Sequence, residues 1–218
     1  KKYTTVLDRY SRPDNALFVA ETGNDTAYAR YVFATLGHQG IGFSPFGMDY
    51  TKYSNWPLGA KAITPETIQP FAANYELLAP LAGLIAKQSF EGKVWGASEP
   101  DEAHEQTLDL GDWRVQVSYG RPQFGMDPPQ GNPQKLGGVV IVQLAPNEYL
   151  VAGYHARVNF MPPKGHDGQH FLLEKVQEGR YDENGQWHFI REWNGDQTDY
   201  GLNLTSQPQV LRVKLATY

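Results

Sequence analysis

A carboxylate stands where an apolar run turns abruptly polar. Leu17-Phe18-Val19-Ala20 is followed by Glu21-Thr22-Gly23-Asn24-Asp25. An acid at the C-terminal end of a buried parallel strand sits where barrel enzymes place catalytic groups, so Glu21 is a candidate nucleophile or acid–base group. The same pattern also fits a solvated strand end, or a cap for a helix beginning near Asp25. Gly42-Phe43-Ser44-Pro45-Phe46-Gly47 lacks the G-x-S-x-G spacing of a serine nucleophile, and Pro45 has no N–H to offer an oxyanion. It reads instead as a strand end that delivers Phe43 and Phe46 either to a pocket rim or to the core.

Other candidates fall to simpler readings. His166-Asp167-Gly168-Gln169-His170 offers metal-ligating side chains in a Pro/Gly loop, but nothing fixes the remaining ligands. It is read as a solvated loop, with no metal or cofactor expected. Asp182-Glu183-Asn184-Gly185 lacks the later ligands of a calcium loop and reads as a hairpin turn. Trp187 and Trp193 fit a sugar-stacking face or a sandwich core, and the core is the reading adopted for both, with Trp113 expected to be buried as well.

The elements that must position these groups fall into two grammars. In residues 1–91, short apolar runs alternate with helical patterns. Leu17–Ala20 reads as a strand buried on both faces. Tyr28, Tyr31, Val32, Thr35 and Leu36 share a helix face that ends at Gly37. Ile41–Ser44 reads as a second strand. Thr64-Pro65-Glu66 starts a helix, which Pro80 should kink. In residues 92–218 alternation takes over: Trp113, Val115, Val117 and Tyr119; Ala152 to Phe160 in one series; Leu211, Val213 and Leu215. The expected fold class is α/β followed by all-β, with an antiparallel β-sandwich in the second half. A (β/α)8 barrel needs eight βα units. The first half therefore reads as the last two units of a longer chain.

Composition narrows the function classes. The net charge of −5 carries no basic stripe, which argues against a nucleic-acid partner. No apolar run approaches the roughly 18 residues of a membrane helix, and no membrane partner is expected. With 0 Cys, there is no disulfide framework, thiol nucleophile or Cys-ligated zinc.

Asn15-Ala16-Leu17-Phe18-Val19-Ala20-Glu21-Thr22-Gly23, Ala29-Arg30-Tyr31-Val32-Phe33 and Gly42-Phe43-Ser44-Pro45-Phe46-Gly47 together resemble bacterial β-galactosidases of glycoside hydrolase family 35. The resemblance is to the subgroup with a β-sandwich after the barrel. Gly111-Asp112-Trp113, Gly137-Gly138-Val139-Val140 and Glu178-Gly179-Arg180-Tyr181 match that appended domain. The resemblance implies retaining hydrolysis of terminal β-galactosides in oligo- or polysaccharides, with Glu21 as nucleophile. Phe43, Phe46 and Trp56 would form an apolar wall against the sugar, and the protein would be periplasmic or secreted. The family's acid/base is a Glu after Asn, upstream of the nucleophile. Here the Asn147-Glu148 pair lies downstream in a hairpin, so an upstream barrel segment of the same enzyme is the expected partner. The alternative is a non-catalytic carbohydrate-binding or assembly module, with a homo-oligomer interface left open.

Overall fold

The computed structural model describes residues 2–48, 61–121 and 127–218. The chain begins with helix α1 (Lys2–Tyr10), which the sequence reading passed over. Its signal is present in Tyr3, Leu7 and Tyr10, spaced i, i+4, i+7 along one face. Leu7 is buried against Leu17 and Ala34, with Tyr3 packed alongside.

Strand β1 (Phe18–Thr22) leads through a 3-10 turn at Thr26–Arg30 into α2 (Tyr31–Gly37), then into β2 (Gly42–Pro45). The two strands run parallel, with Phe18 opposite Gly42 and Thr22 opposite Pro45. This is the strand–helix–strand unit anticipated above. The expectation that β1 is buried on both faces fails, because Phe18 is 57% exposed and Ala20 and Glu21 are exposed too. Among the described residues, β1 pairs on one edge only.

Helix α3 (Pro65–Leu78) starts where the sequence places it. The Thr64 hydroxyl accepts from the Thr67 N–H, and the Thr67 hydroxyl oxygen accepts from the Thr64 N–H at 2.8 Å. Such reciprocal caps satisfy otherwise orphaned amides. A 3-10 turn at Ala79–Leu81 then separates α3 from α4 (Ala82–Phe90). The expected kink is thus a full break, centred on Pro80.

The strands that follow are β3 (Val94–Ser98), β4 (Glu105–Asp109), β5 (Arg114–Ser118), β6 (Gly138–Ala145), β7 (Glu148–Tyr154) and β8 (Ala156–Met161). After them come β9 (Phe171–Tyr181), β10 (Trp187–Glu192), the short helix α5 (Gly195–Thr198), β11 (Leu202–Leu204) and β12 (Gln209–Thr217). They form a 6-stranded sheet in the order β10-β9-β12-β7-β6-β3 and a 4-stranded sheet in the order β11-β8-β5-β4. All pairings within these two sheets are antiparallel.

The sheets pack face to face. Val139, Ile141, Tyr149, Val151 and Leu211 from the larger meet Val115, Val117, Val158 and Phe160 from the smaller in one apolar cluster. The other face of the larger sheet is apolar as well. Val140, Val142, Leu150 and Ala152 pack against Val32 and Phe33 of α2, Leu77 and Leu78 of α3, and Ile85 of α4. The molecule therefore has three layers, of helices, a six-stranded sheet and a four-stranded sheet. Burial on both faces explains the unbroken apolar run Val139-Val140-Ile141-Val142 in β6.

The alternating series from Ala152 to Phe160 reads from sequence as one strand, and the structure divides it. Tyr154 belongs to the helix-facing cluster and Ala156 to the inter-sheet cluster. The chain turns from one sheet to the other at His155, with φ at 51°. Alternation continues through the corner, so the pattern does not reveal it.

Candidate functional site

Glu21 lies near the C-terminal end of β1, with its side chain exposed. The neighbouring strand end is tied to it twice. The Phe46 N–H donates to the Thr22 carbonyl at 3.0 Å, and Asn24 Nδ2 donates to the Phe46 carbonyl at 2.8 Å. Asn24 is fully buried, so one end of this clamp is anchored in the interior. Glu21 and Phe46 are thereby carried on adjacent strand ends, and Phe46 is partly exposed.

A groove of about 780 Å³ runs beside β1, lined by Glu21, Phe18, Tyr3, Tyr10, Tyr31 and Asp101 among others. Asp101 is the second carboxylate of its lining. Partial burial acts to raise the pKa of Asp101, but nearby charge, including Arg30 Nη2 at 2.6 Å, holds it below the ordinary value. A glycosidic general acid needs the opposite, a carboxyl kept protonated near neutral pH. Asp101 is a poor candidate for that role.

Phe43 is half-buried and packs against the cluster between the helices and the larger sheet, while Tyr75 Oη donates to its carbonyl at 3.4 Å. Trp56 lies outside the described residues. In the β-rich half, Trp113 is 2% exposed and its Nε1–H donates to Asn147 Oδ1 at 2.9 Å. Trp187 is more buried than exposed, as expected, but it packs against the cluster between the helices and the larger sheet rather than between the two sheets, beside Tyr181 and Arg212. Trp193 and Tyr154 are buried in different clusters, so they do not share a flat exposed face with Trp187. Asn147 takes φ of 58° in the β6–β7 hairpin, as the turn reading requires. The stretch from His166 to His170 is exposed. Among the described residues no group of three His, Cys, Asp or Glu side chains is placed to hold a metal.

Two charged residues missed by the sequence reading turn out to join the helices to the sheets. Arg30 is buried, with Nε donating to the Glu99 carbonyl at 2.8 Å and Nη2 donating to Tyr31 Oη at 2.9 Å and to Asp101 Oδ1. Glu99 is fully buried and accepts from the Asn132 N–H, Asn132 Nδ2 and the Gly137 N–H. A carboxylate can be buried when its oxygens are satisfied in this way. Nothing in Ser98-Glu99-Pro100-Asp101-Glu102 signals it, because the stretch has the composition of an acidic surface turn. Arg30, Tyr31 and Phe33 sit in one of the motifs that carry the galactosidase resemblance, and here they work as a joint. Tyr31 stacks on Tyr3 at 3.9 Å, and Phe33 meets Tyr154 edge-on.

The architecture is thus a mixed α/β protein with mostly antiparallel sheets and a groove beside its parallel pair. Residues 71–205 match the family described as Domain of unknown function (DUF5597), and the chain belongs to that family. The matched stretch begins within α3 and includes both sheets except β12, so Glu21 precedes it. No curated protein matches the chain.

Proposed function

We propose that the chain is the C-terminal portion of a retaining β-galactosidase of the family 35 type, with Glu21 as nucleophile. In this reading β1, α2, β2 and α3 are the last two βα units of a (β/α)8 barrel, completed by an upstream segment of the same enzyme. The observation that carries the reading is the exposed carboxylate near the C-terminal end of a strand in a parallel pair, clamped beside Phe46. That is where a barrel enzyme presents a group to its substrate. Glu21 would attack the anomeric carbon, and a second carboxyl roughly 5–5.5 Å away would protonate the leaving oxygen and later activate water. The upstream segment supplies that second carboxyl. The substrate class is terminal β-galactosides of oligo- or polysaccharides, and the site is periplasmic or secreted.

The test is covalent trapping in the protein that carries the upstream segment. A 2-deoxy-2-fluoro β-galactoside with a good leaving group should label the peptide containing Glu21. Glu21→Gln should abolish both labelling and turnover, because an amide is a poor nucleophile while the fold keeps its shape. Near-normal turnover of an aryl β-galactoside by that variant overturns the assignment.

A second reading applies to the β-rich part alone. The burial of Trp113, Trp193 and Tyr154, and the docking of α2 to α4 across the larger sheet, favour a brace over a sugar-binding module.

A further inference from the structure

The outer face of the four-stranded sheet holds a buried cationic row unrelated to the groove at Glu21. Ser118 of β5 lies opposite Arg157 of β8, and Asn203 of β11 lies opposite Arg157 on its other side. Residues in cross-strand register share a face of the sheet. Here it is the face turned away from the sandwich core, since the alternate residues Val117, Val158 and Leu204 fill that core. Outward positions on an antiparallel sheet are ordinarily solvated. This row is not, because Ser118 is 0% and Arg157 2% exposed.

Three further observations converge on the row. A cavity of about 130 Å³ is lined by Ser118, Arg121, Asn132, Arg157, Asn203 and Thr205, among others. The Ser118 hydroxyl and the Arg121 Nε are buried without a hydrogen-bond partner. Buried polar groups are nearly always bonded, so a group left over calls for an explanation. Burial, and after it the charge of Arg121, lower the pKa of Arg157, and both arginines line the cavity. Glu105, opposite Ser118 in the row, accepts from Gln116 Nε2 at 3.0 Å, and the cavity-lining Asn132 donates Nδ2 to buried Glu99.

We propose that this cavity binds one oxyanion group, a carboxylate or sulfate, with the Arg121 guanidinium as the charged donor and the Ser118 hydroxyl as a second. The chemistry fits each part. A guanidinium fork matches the geometry of a two-oxygen anion, and the unpartnered Arg121 Nε and Ser118 hydroxyl are donors left over for one. The cavity exceeds the roughly 30 Å³ that one water occupies in the liquid. The group can arrive as a free inorganic anion or as the acidic substituent of a glycan. The proposal is independent of the role given to Glu21, and its test involves no hydrolysis.

The test is calorimetric titration of the 218-residue chain at ionic strength fixed with sodium chloride, using sodium sulfate, sodium galacturonate and neutral galactose. Saturable binding of sulfate or galacturonate is expected, with no response to galactose. Galacturonate binding much more tightly than sulfate identifies an acidic sugar as the source, whereas comparable affinities identify the free anion. Arg121→Gln should weaken binding about tenfold or more, through loss of a charge-assisted donor. Ser118→Ala should weaken it less while leaving the fold unchanged by circular dichroism, so it serves if the arginine variant does not fold. The proposal is overturned if neither anion binds saturably, or if the folded variants bind as tightly as the parent.

Discussion

A Cβ placed on Gly96 would lie 1.9 Å from the Phe33 carbonyl oxygen, so strand β3 and helix α2 meet backbone to backbone. Gly37 repeats the contact from the helix side, where a Cβ would come within 2.3 Å of the Gly96 nitrogen. Ser98 fastens the same joint. Its hydroxyl accepts from the Ala34 N–H at 3.0 Å and donates to the Arg30 carbonyl at 2.5 Å. The helix that follows the Glu21 strand is thereby held on the large sheet, and the position of the groove depends on that contact.

Gly96→Ala should accordingly push α2 off β3. The obstacle is backbone on both sides, so no side-chain rotation relieves it. Overpacking of this kind costs about 1–3 kcal/mol, and more where nothing can move. The urea midpoint should fall, while an alanine at Gly83, where a Cβ meets nothing within 4 Å, should leave it unchanged or raised. An unchanged midpoint for Gly96→Ala would show that the helix is not docked as described.

A second expectation concerns pH. His155 forms the corner between the sheets, and burial lowers its pKa below the ordinary 6.5, against a smaller opposing effect from Glu99. Protonation is therefore harder in the folded state than in the unfolded chain. The resulting stability is fully present above about pH 6.5 and is lost as pH falls through the lowered folded value. His155→Asn should flatten that part of the profile, since Asn does not titrate and tolerates positive φ. Melting temperatures from about pH 8 to about pH 5 test it. Parallel profiles for parent and variant would remove His155 as the cause.

Sequence pattern located the elements better than it located their surroundings. The cap at Thr64, the break at Pro80, the parallel pairing of β1 with β2 and the inward face of Leu211, Val213 and Leu215 follow from local rules that tertiary contacts reinforce. What periodicity cannot carry is the partner on the far side. Val140 and Val142 face helices rather than water, and the corner at His155 preserves the alternation it interrupts. Glu21 was legible because an acid after an apolar run is conspicuous. The roles of Arg30 and Glu99 depend on partners some 69 residues apart, a separation at which no local signal exists.

The last expectation is that the 218-residue chain alone does not hydrolyse an aryl β-galactoside. Among the described residues Glu21 and Asp101 are the carboxylates lining the groove, and, against the effect of burial, nearby positive charge that includes Arg30 holds the pKa of Asp101 below its ordinary value. Among the described residues no proton donor then stands opposite Glu21, and loss of general acid–base catalysis alone costs ~10²–10⁴ in rate. The groove is also open. Val6, Tyr10 and Phe18 along it are each at least 50% exposed, so a sugar has no second wall to orient it. Adding the upstream segment should supply both the wall and the acid. Turnover should then appear, and binding of a hydrophobic dye to the groove should fall in step with it. If the chain alone turned over substrate robustly, or if dye binding and activity failed to change together, the groove beside Glu21 would not be part of a divided barrel.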